Sequence, residues 1–171
     1  EQKCGCFSGE AYDVDGIHLS PYDDCLHIKG NFIQNVHAGT GDDVIVLEGV
    51  NSPQGCGRSA CTYFLNIHGG YGDDVINLSG DYNEGIFGDS GNDVITVTGD
   101  YNGWLYGGDG ADRITITGDF NWDIEGQSGD DTIIIDGSRT NGIDGGDGRD
   151  SCDAGTNPFS GNGPENCEID L

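Results

Sequence analysis

Apolar residues recur along this chain in short alternating runs, separated by turns rich in glycine and aspartate. In most runs two apolar residues flank one polar residue, and another apolar residue follows eight positions later. Strict alternation is typical of a β-strand with one buried face, so each run predicts a short strand.

The runs keep a constant period. Glycine-rich turns recur every 19 residues, beginning at Gly69, Gly88, Gly107, Gly126 and Gly145. A matching turn at 38–43 begins 31 residues before Gly69, which is one period plus a 12-residue insertion at 51–62. A degenerate copy occupies 19–24, so the sequence predicts seven coils of one repeating unit.

The positions of each coil are numbered here as columns, with the first glycine of the turn in column one. Three columns are apolar throughout: column eight holds Leu26, Ile45, Ile76, Ile95, Ile114 and Ile133; column ten holds Ile28, Leu47, Leu78, Val97, Ile116 and Ile135; column eighteen holds Val36, Ile67, Ile86, Leu105, Ile124 and Ile143. Aromatic residues fill column fourteen at Phe32, Tyr63, Tyr82, Tyr101 and Phe120. A single coil is too thin to bury these side chains, so stacked coils must share one core. We therefore predict an all-β parallel β-solenoid of about seven 19-residue coils, with all four columns in its core.

The ends and the cysteines suggest fastened caps. The repeats span 19–154, which leaves 1–18 and 155–171 as expected N-terminal and C-terminal caps. We expect Cys152 to pair with Cys167, Cys56 with Cys61, and Cys25 with Cys4 or Cys6, which leaves one thiol free or joined to another chain. Seven cysteines in a small acidic chain indicate an oxidising, extracytoplasmic compartment.

The composition is strongly acidic, with 31 Asp+Glu against 6 Lys+Arg and a net charge of -25. Asp outnumbers Glu by 24 to 7, which favours turns and metal ligands over a need for solubility alone. Nucleic acid and anionic membrane surfaces would repel such a chain, and no apolar run approaches the ~20 residues of a membrane span. No nucleophile motif stands out, so we do not expect an enzyme.

Column six consists of aspartate throughout. Its members are Asp24, Asp43, Asp74, Asp93, Asp112, Asp131 and Asp150. Stacked coils would place these carboxylates ~5 Å apart, where they repel one another unless a cation lies between them. Glycines in the same turns let the backbone bend, so that carbonyl oxygens can face a hard cation.

The turn from Gly107 to Thr115 fits the calcium-binding nonapeptide G-G-x-G-x-D-x-U-x at every position. Over 19–150 the chain thus resembles the repeats-in-toxin (RTX) family, whose parallel β-rolls bind Ca²⁺ between successive turns. The resemblance implies up to about six Ca²⁺ ions held by the column-six aspartates. Backbone carbonyls would assist near Gly39, Gly41, Gly70, Gly72, Gly88, Gly91, Gly108, Gly110, Gly126, Gly129, Gly146 and Gly148.

The second half of each coil departs from the RTX pattern, so we expect one row of ions. Asp81, Asp100 and Asp119 are expected to form a polar bend. Asn83, Asn102 and Asn121 could form a ladder beside it.

The 19-residue coil is also similar to the ice-binding repeats of a large bacterial adhesin, built on x-G-T-G-N-D turns. That family presents Thr and Asn of each turn as a regular array. Residues such as Tyr71 and Asp73 replace them here, so that face cannot form. A separate outward patch keeps ice binding open as an alternative; it comprises Thr96, Thr98, Thr115 and Thr117.

Two further groups lie on one outward face. His18, His37 and His68 share column nineteen and could bind Zn²⁺ or form a plain solvent-exposed ladder. Phe87, Trp104 and Tyr106 continue the face as a stripe that could dock a glycan or a protein partner, unless a cap or the insertion covers it.

Together these patterns predict a secreted or cell-surface calcium-binding β-solenoid that acts as a structural or adhesion-type interaction module. Ca²⁺ bound between successive turns would fold and stabilise it. An ice-binding protein and a carbohydrate-binding module are the alternatives.

Overall fold

The computed structural model describes residues 7–49, 64–154 and 164–167, and every named element within them is a β-strand. The strands are β1 (Phe7–His18), β2 (Cys25–Thr40), β3 (Val44–Gly49), β4 (Phe64–Tyr71), β5 (Val75–Ser79), β6 (Glu84–Ser90), β7 (Val94–Thr98), β8 (Gly103–Asp109), β9 (Arg113–Thr117), β10 (Trp122–Ser128), β11 (Thr132–Asp136), β12 (Asn141–Asp147) and β13 (Ser151–Asp153). No helix long and apolar enough to cross a membrane occurs in the described ranges.

The strands form two parallel sheets that meet in the long strand β2. The N-terminal half of β2 pairs with β3, and its C-terminal half pairs with β4. The odd-numbered strands continue from β3 to β13 as one sheet, and the even-numbered strands continue from β4 to β12 as the other. We call these the odd sheet and the even sheet. Paired residues differ by 19 positions, or by 31 across the insertion, which confirms the predicted parallel β-solenoid.

Strand β1 carries the same register beyond the predicted repeats. It pairs in parallel with β2 at an offset of 19, from Phe7 with Leu26 to His18 with His37. The segment 7–18 therefore continues the stack of coils at the N-terminal end.

The core lies between the two sheets, and three of the predicted columns form it. Every residue named above for columns eight, ten and eighteen is at most 5% exposed. Because a strand alternates its side chains between two faces, the polar residues between these columns point to solvent.

Column fourteen lies outside the core, so this part of the prediction was wrong. Tyr82, Tyr101 and Phe120 have φ angles of 63°, 60° and 62°, and this left-handed backbone turns their side chains outward at the bend. Their rings stack on one another, with centroids 4.8 and 4.6 Å apart. Phe32 of the same column is 38% exposed, and Tyr63 lies outside the described residues.

Column fifteen points inward instead, and its asparagines form the predicted ladder. Asn83, Asn102 and Asn121 are fully buried. The Asn102 side-chain amide donates to Asn121 Oδ1 at 3.1 Å and to the Gly99 carbonyl at 2.7 Å. Asn102 Oδ1 accepts from both the backbone N–H and the side-chain amide of Asn83. Each asparagine of the ladder therefore provides hydrogen-bond partners for buried polar groups of its neighbours.

The predicted Cys152–Cys167 disulfide is confirmed, with the two Cα atoms 5.6 Å apart. Cys25 is also disulfide-bonded, and its predicted partners Cys4 and Cys6 lie outside the described residues. The predicted pair in the insertion, Cys56 and Cys61, lies outside them as well.

We predict that Asn102→Ala lowers the free energy of unfolding by about 2 to 3 kcal/mol, because buried partners on two neighbouring coils lose their hydrogen bonds. Asn92→Ala is the matched control, since Asn92 is exposed; it should cost less than about 1 kcal/mol. Denaturant unfolding of both variants measures the difference. Equal losses would contradict the ladder's contribution.

Candidate metal centre

Six aspartates of column six form a continuous buried ladder. Asp43, Asp74, Asp93, Asp112, Asp131 and Asp150 are each 1–2% exposed. The Oδ1 atom of each accepts a hydrogen bond of 2.7–2.8 Å from the backbone N–H of the column-six aspartate one coil earlier. Each of these coils therefore places one carboxylate in the buried interior of its turn.

The second carboxylate oxygen of each ladder member has no partner among the residues that the structure describes. Oδ2 of all six aspartates is buried without any hydrogen bond in the structure. Burying such an atom unpaired costs free energy, and burying an ionised carboxylate costs more. In each coil, a proton or a cation is therefore needed at the Oδ2 atom.

The pKa values of the ladder reflect this burial. Burial raises the pKa of Asp74 and of Asp112 to about 7, against an ordinary value of 3.8. It raises the pKa of Asp43 and of Asp93 to about 6, and that of Asp131 in the same direction. Hydrogen bonds from the preceding coil oppose the rise, and neighbouring carboxylates add to it.

A backbone carbonyl oxygen and an unpaired carboxylate oxygen lie beside the same glycine in several coils. A Cβ atom built on Gly69 would lie 2.5 Å from Asp74 Oδ2 and 2.7 Å from the carbonyl oxygen of Gly88, one coil later. The equivalent Cβ on Gly88, Gly107 or Gly126 would meet the same two kinds of oxygen. Because these column-one glycines have no side chain, a carboxylate oxygen and a carbonyl oxygen can lie beside the same open space.

The other glycines of the turn direct their carbonyls along the stack. At Gly72 the φ angle is 128°, and an added Cβ would collide with the carbonyl oxygen of Gly41 on the coil before. Gly91, Gly110, Gly129 and Gly148 repeat this contact down column four. The backbone carbonyl oxygens predicted as calcium ligands therefore belong to the same turns as the aspartate ladder.

Asp24, the remaining predicted ligand, differs from the other six. It is only partly buried, and its Oδ2 accepts hydrogen bonds of 2.6 and 2.7 Å from the backbone N–H and the hydroxyl of Ser20. Its coil also lacks the glycine-rich turn. Its carboxylate is thus satisfied by the chain itself.

The donor set suits an oxygen-preferring cation. Within the described ranges no group of three or more His, Cys, Asp or Glu side chains is arranged to hold a metal ion. A metal in this column would therefore need the backbone carbonyls beside each carboxylate. Carboxylate and carbonyl oxygens are the ligands that Ca²⁺ prefers, whereas Zn²⁺ favours nitrogen and sulfur.

The rings of His37, His68 and Phe87 stack face to face, and the His18 ring is tilted by 33° against that of His37. Ring centroids are 5.1 Å apart for His18 and His37, 4.8 Å for His37 and His68, and 4.5 Å for His68 and Phe87. The pKa of His37 is lowered, first by burial and then by the neighbouring histidines. His68 Nδ1 lies 2.9 Å from Asp89 Oδ2. A metal on these histidines stays a prediction.

The aromatic stripe is only partly open. His68 covers one face of Phe87, and the Tyr106 ring lies 5.5 Å from Phe87, with its hydroxyl donating to Asp123 at 2.8 Å. Trp104 is 47% exposed. Docking of a glycan or a protein here stays a prediction.

Two predicted polar features lie outside the ladder, a bend formed by aspartates and a patch of threonines. Asp81 and Asp100 form the predicted bend, because each Oδ1 accepts the backbone N–H of the next coil. Across strands β7 and β9, the four outward threonines pair as Thr96 with Thr115 and Thr98 with Thr117. Ice binding by that small patch stays a prediction.

The fold and the ladder define a repetitive parallel β-solenoid with one buried carboxylate in each of six turns. Comparison with protein-family models, curated proteins and solved structures finds no match for the chain.

We predict that the protein, freed of divalent cations, becomes less stable as the pH rises. The raised pKa values mean that the folded ladder keeps protons that the unfolded chain has already released. This contribution is complete below pH 3.8 and is lost as the pH passes through about 6 to 7. The melting temperature should therefore be lower at about pH 8 than at about pH 5.

The matched variant for this test is Asp112→Asn. It keeps an oxygen acceptor for the Asp93 N–H but cannot ionise, so its melting temperature should fall less steeply with pH. Circular dichroism at constant ionic strength measures both profiles. A melting temperature that rises over this range would contradict the assignment.

Proposed function

We propose that this protein is a calcium-binding β-solenoid that acts outside the cytoplasm as a structural or interaction module. The observation that carries the proposal is the row of six buried Oδ2 atoms without hydrogen-bond partners. Beside five of them, from Asp74 to Asp150, a backbone carbonyl oxygen lies close to the same column-one glycine. The resemblance of the turns to RTX repeats supports the same assignment.

Calcium would supply two positive charges per site between carboxylates that otherwise repel one another. The chain's own residues prepare for it in two ways. The ladder hydrogen bonds fix Oδ1 of each aspartate, so that only Oδ2 remains to meet an ion. Glycine in column four, and in column one from Gly69 to Gly145, keeps side chains out of the space beside it.

Ion binding would couple to folding, because the dispersed chain holds no preformed column. Six ions would reduce the net charge from -25 to roughly -13, which also lowers general repulsion. A calcium-poor compartment would then disfavour the folded state. The Cys152–Cys167 disulfide is in accord with an oxidising compartment, and we place the folded protein at the cell surface or in a secreted form.

No catalytic step is proposed. Rigid solenoids present long, regular surfaces, so a role in adhesion or in spacing other domains fits the architecture. The stacked aromatic and polar faces of the even sheet would be the contact surface in such a role.

We predict that calcium raises the melting temperature and that removing it with a chelator lowers it. At one hundred times Kd each independent site would add ~2.7 kcal/mol to the free energy of unfolding. Asp112→Asn should reduce this gain, because it removes a buried carboxylate from the column. Calorimetric titration and thermal unfolding with calcium measure the effect.

The matched control is Asp109→Asn, which removes the same charge from an exposed position of the same turn. It should leave the calcium response nearly unchanged. Magnesium at equal concentration should stabilise less, since it demands a tighter octahedral arrangement. A melting temperature that ignores both chelator and calcium would refute the proposed function.

A further inference from the structure

The C-terminal tail pairs with the last strand of the even sheet through a single β-bridge. Glu165 forms a parallel bridge with Asp144. Its carbonyl accepts from the Gly145 N–H and its own N–H donates to the Ile143 carbonyl, both at 2.9 Å. Residues 164–167 therefore lie where an eighth turn would begin, although the chain has left the repeat.

Asn166 takes the place of a column-one glycine in that missing turn. Along the column, each column-one glycine faces the carbonyl oxygen of its counterpart one coil later, as Gly107 faces Gly126. Gly145 has no such counterpart, and the carbonyl oxygen of Asn166 lies at the equivalent position. A Cβ on Gly145 would meet this oxygen and would lie 2.8 Å from Asp150 Oδ2.

The backbone conformation of Asn166 suits this placement of its carbonyl oxygen. Its φ angle is 51°, in the left-handed region that asparagine adopts more readily than most residues. Its side-chain amide donates to Asp144 Oδ1 at 2.7 Å, which fixes the residue against β12. The backbone carbonyl is thereby held in one orientation.

Asp150 is the last member of the ladder and depends on this tail. It is 1% exposed, its Oδ1 accepts from the Asp131 N–H at 2.8 Å, and its Oδ2 is unpartnered. At the opposite end, Asp24 is satisfied by Ser20. The two ends of the column therefore differ: among the described residues, Asp150 has an unpaired carboxylate oxygen, whereas Asp24 Oδ2 accepts two hydrogen bonds.

The disulfide ties these parts together. Cys167 follows Asn166 directly, and Cys152 lies two residues after Asp150 in β13. Cys152 is 7% exposed, and both cysteines adjoin the core. The disulfide therefore joins the chain segment that supplies the carboxylate to the segment that supplies the carbonyl.

We propose that the tail completes a terminal calcium site, in which the Asn166 carbonyl and the Asp150 carboxylate are ligands and the Cys152–Cys167 disulfide holds them together. The inference rests on the proposed calcium function and adds redox control of one particular site. Reduction would release one ion from the end of the column and leave the interior sites in place. By linkage, calcium at this site would protect the disulfide.

Counting bound calcium by native mass spectrometry tests the site. The paired substitution Cys152→Ser with Cys167→Ser should lose one ion relative to the wild type, and so should Asp150→Asn. All three substitutions together should still lose only that one ion, because they act on the same site. Asp93→Asn, from the middle of the column, should add its own loss to that of the cysteine pair.

The rate at which a thiol reductant opens the disulfide gives a second readout that leaves the cysteines intact. Calcium at about ten times Kd should slow the reduction of the wild type about tenfold. It should slow the reduction of Asp150→Asn much less. This comparison does not depend on how the cysteine variants fold.

The outcomes separate the two proposals. A full ion count in the cysteine pair, with one ion missing in Asp150→Asn, would show that the disulfide does not hold the terminal site together and would overturn this inference alone. Reduction that calcium does not slow would overturn it as well. A wild type that binds no calcium would overturn the proposed function, and this inference with it.

Discussion

One carboxylate per coil is buried in register, and the rest of the structure depends on how that charge is neutralised. Six aspartates at 1–2% exposure stand one strand spacing apart, each with one oxygen bonded to the coil before and the other unpaired. Two unscreened charges at such a distance repel strongly in a protein interior. The stack can persist only if protons or cations occupy the column, and the donors favour calcium.

This constraint explains why the turns are so rich in glycine. In column one, Gly69 and the glycines after it leave open the space that Asp Oδ2 and the next coil's carbonyl share, whereas Ala38 holds this position in the coil of Asp43. Column four must be glycine because each Cα, as at Gly91, lies against the carbonyl of the coil before. The hydrophobic columns supply the core, and glycine at these contacts lets the turns approach to the distance that strand pairing sets.

Much of the fold follows from the period, because a repeat of 19 residues fixes both strand register and core columns. The Asp column and the Asn ladder could be predicted for the same reason. The outward direction of column fourteen could not be predicted, because the direction of the Tyr82 side chain depends on a left-handed backbone conformation that the residue type does not specify. Asn166 carries no signature either, since every residue has a carbonyl and only the fold decides which one faces the column. The distinct state of Asp24 depends likewise on a local bond to Ser20.

The central claim is that cations occupy the aspartate column of the folded protein. Anomalous diffraction from crystals grown with calcium tests it most directly. The account predicts a row of anomalous peaks along column six, each about 2.3–2.6 Å from an Oδ2 atom and repeating once per coil. A folded solenoid with an intact ladder and no anomalous peaks in the column would contradict it and would assign neutralisation to protons.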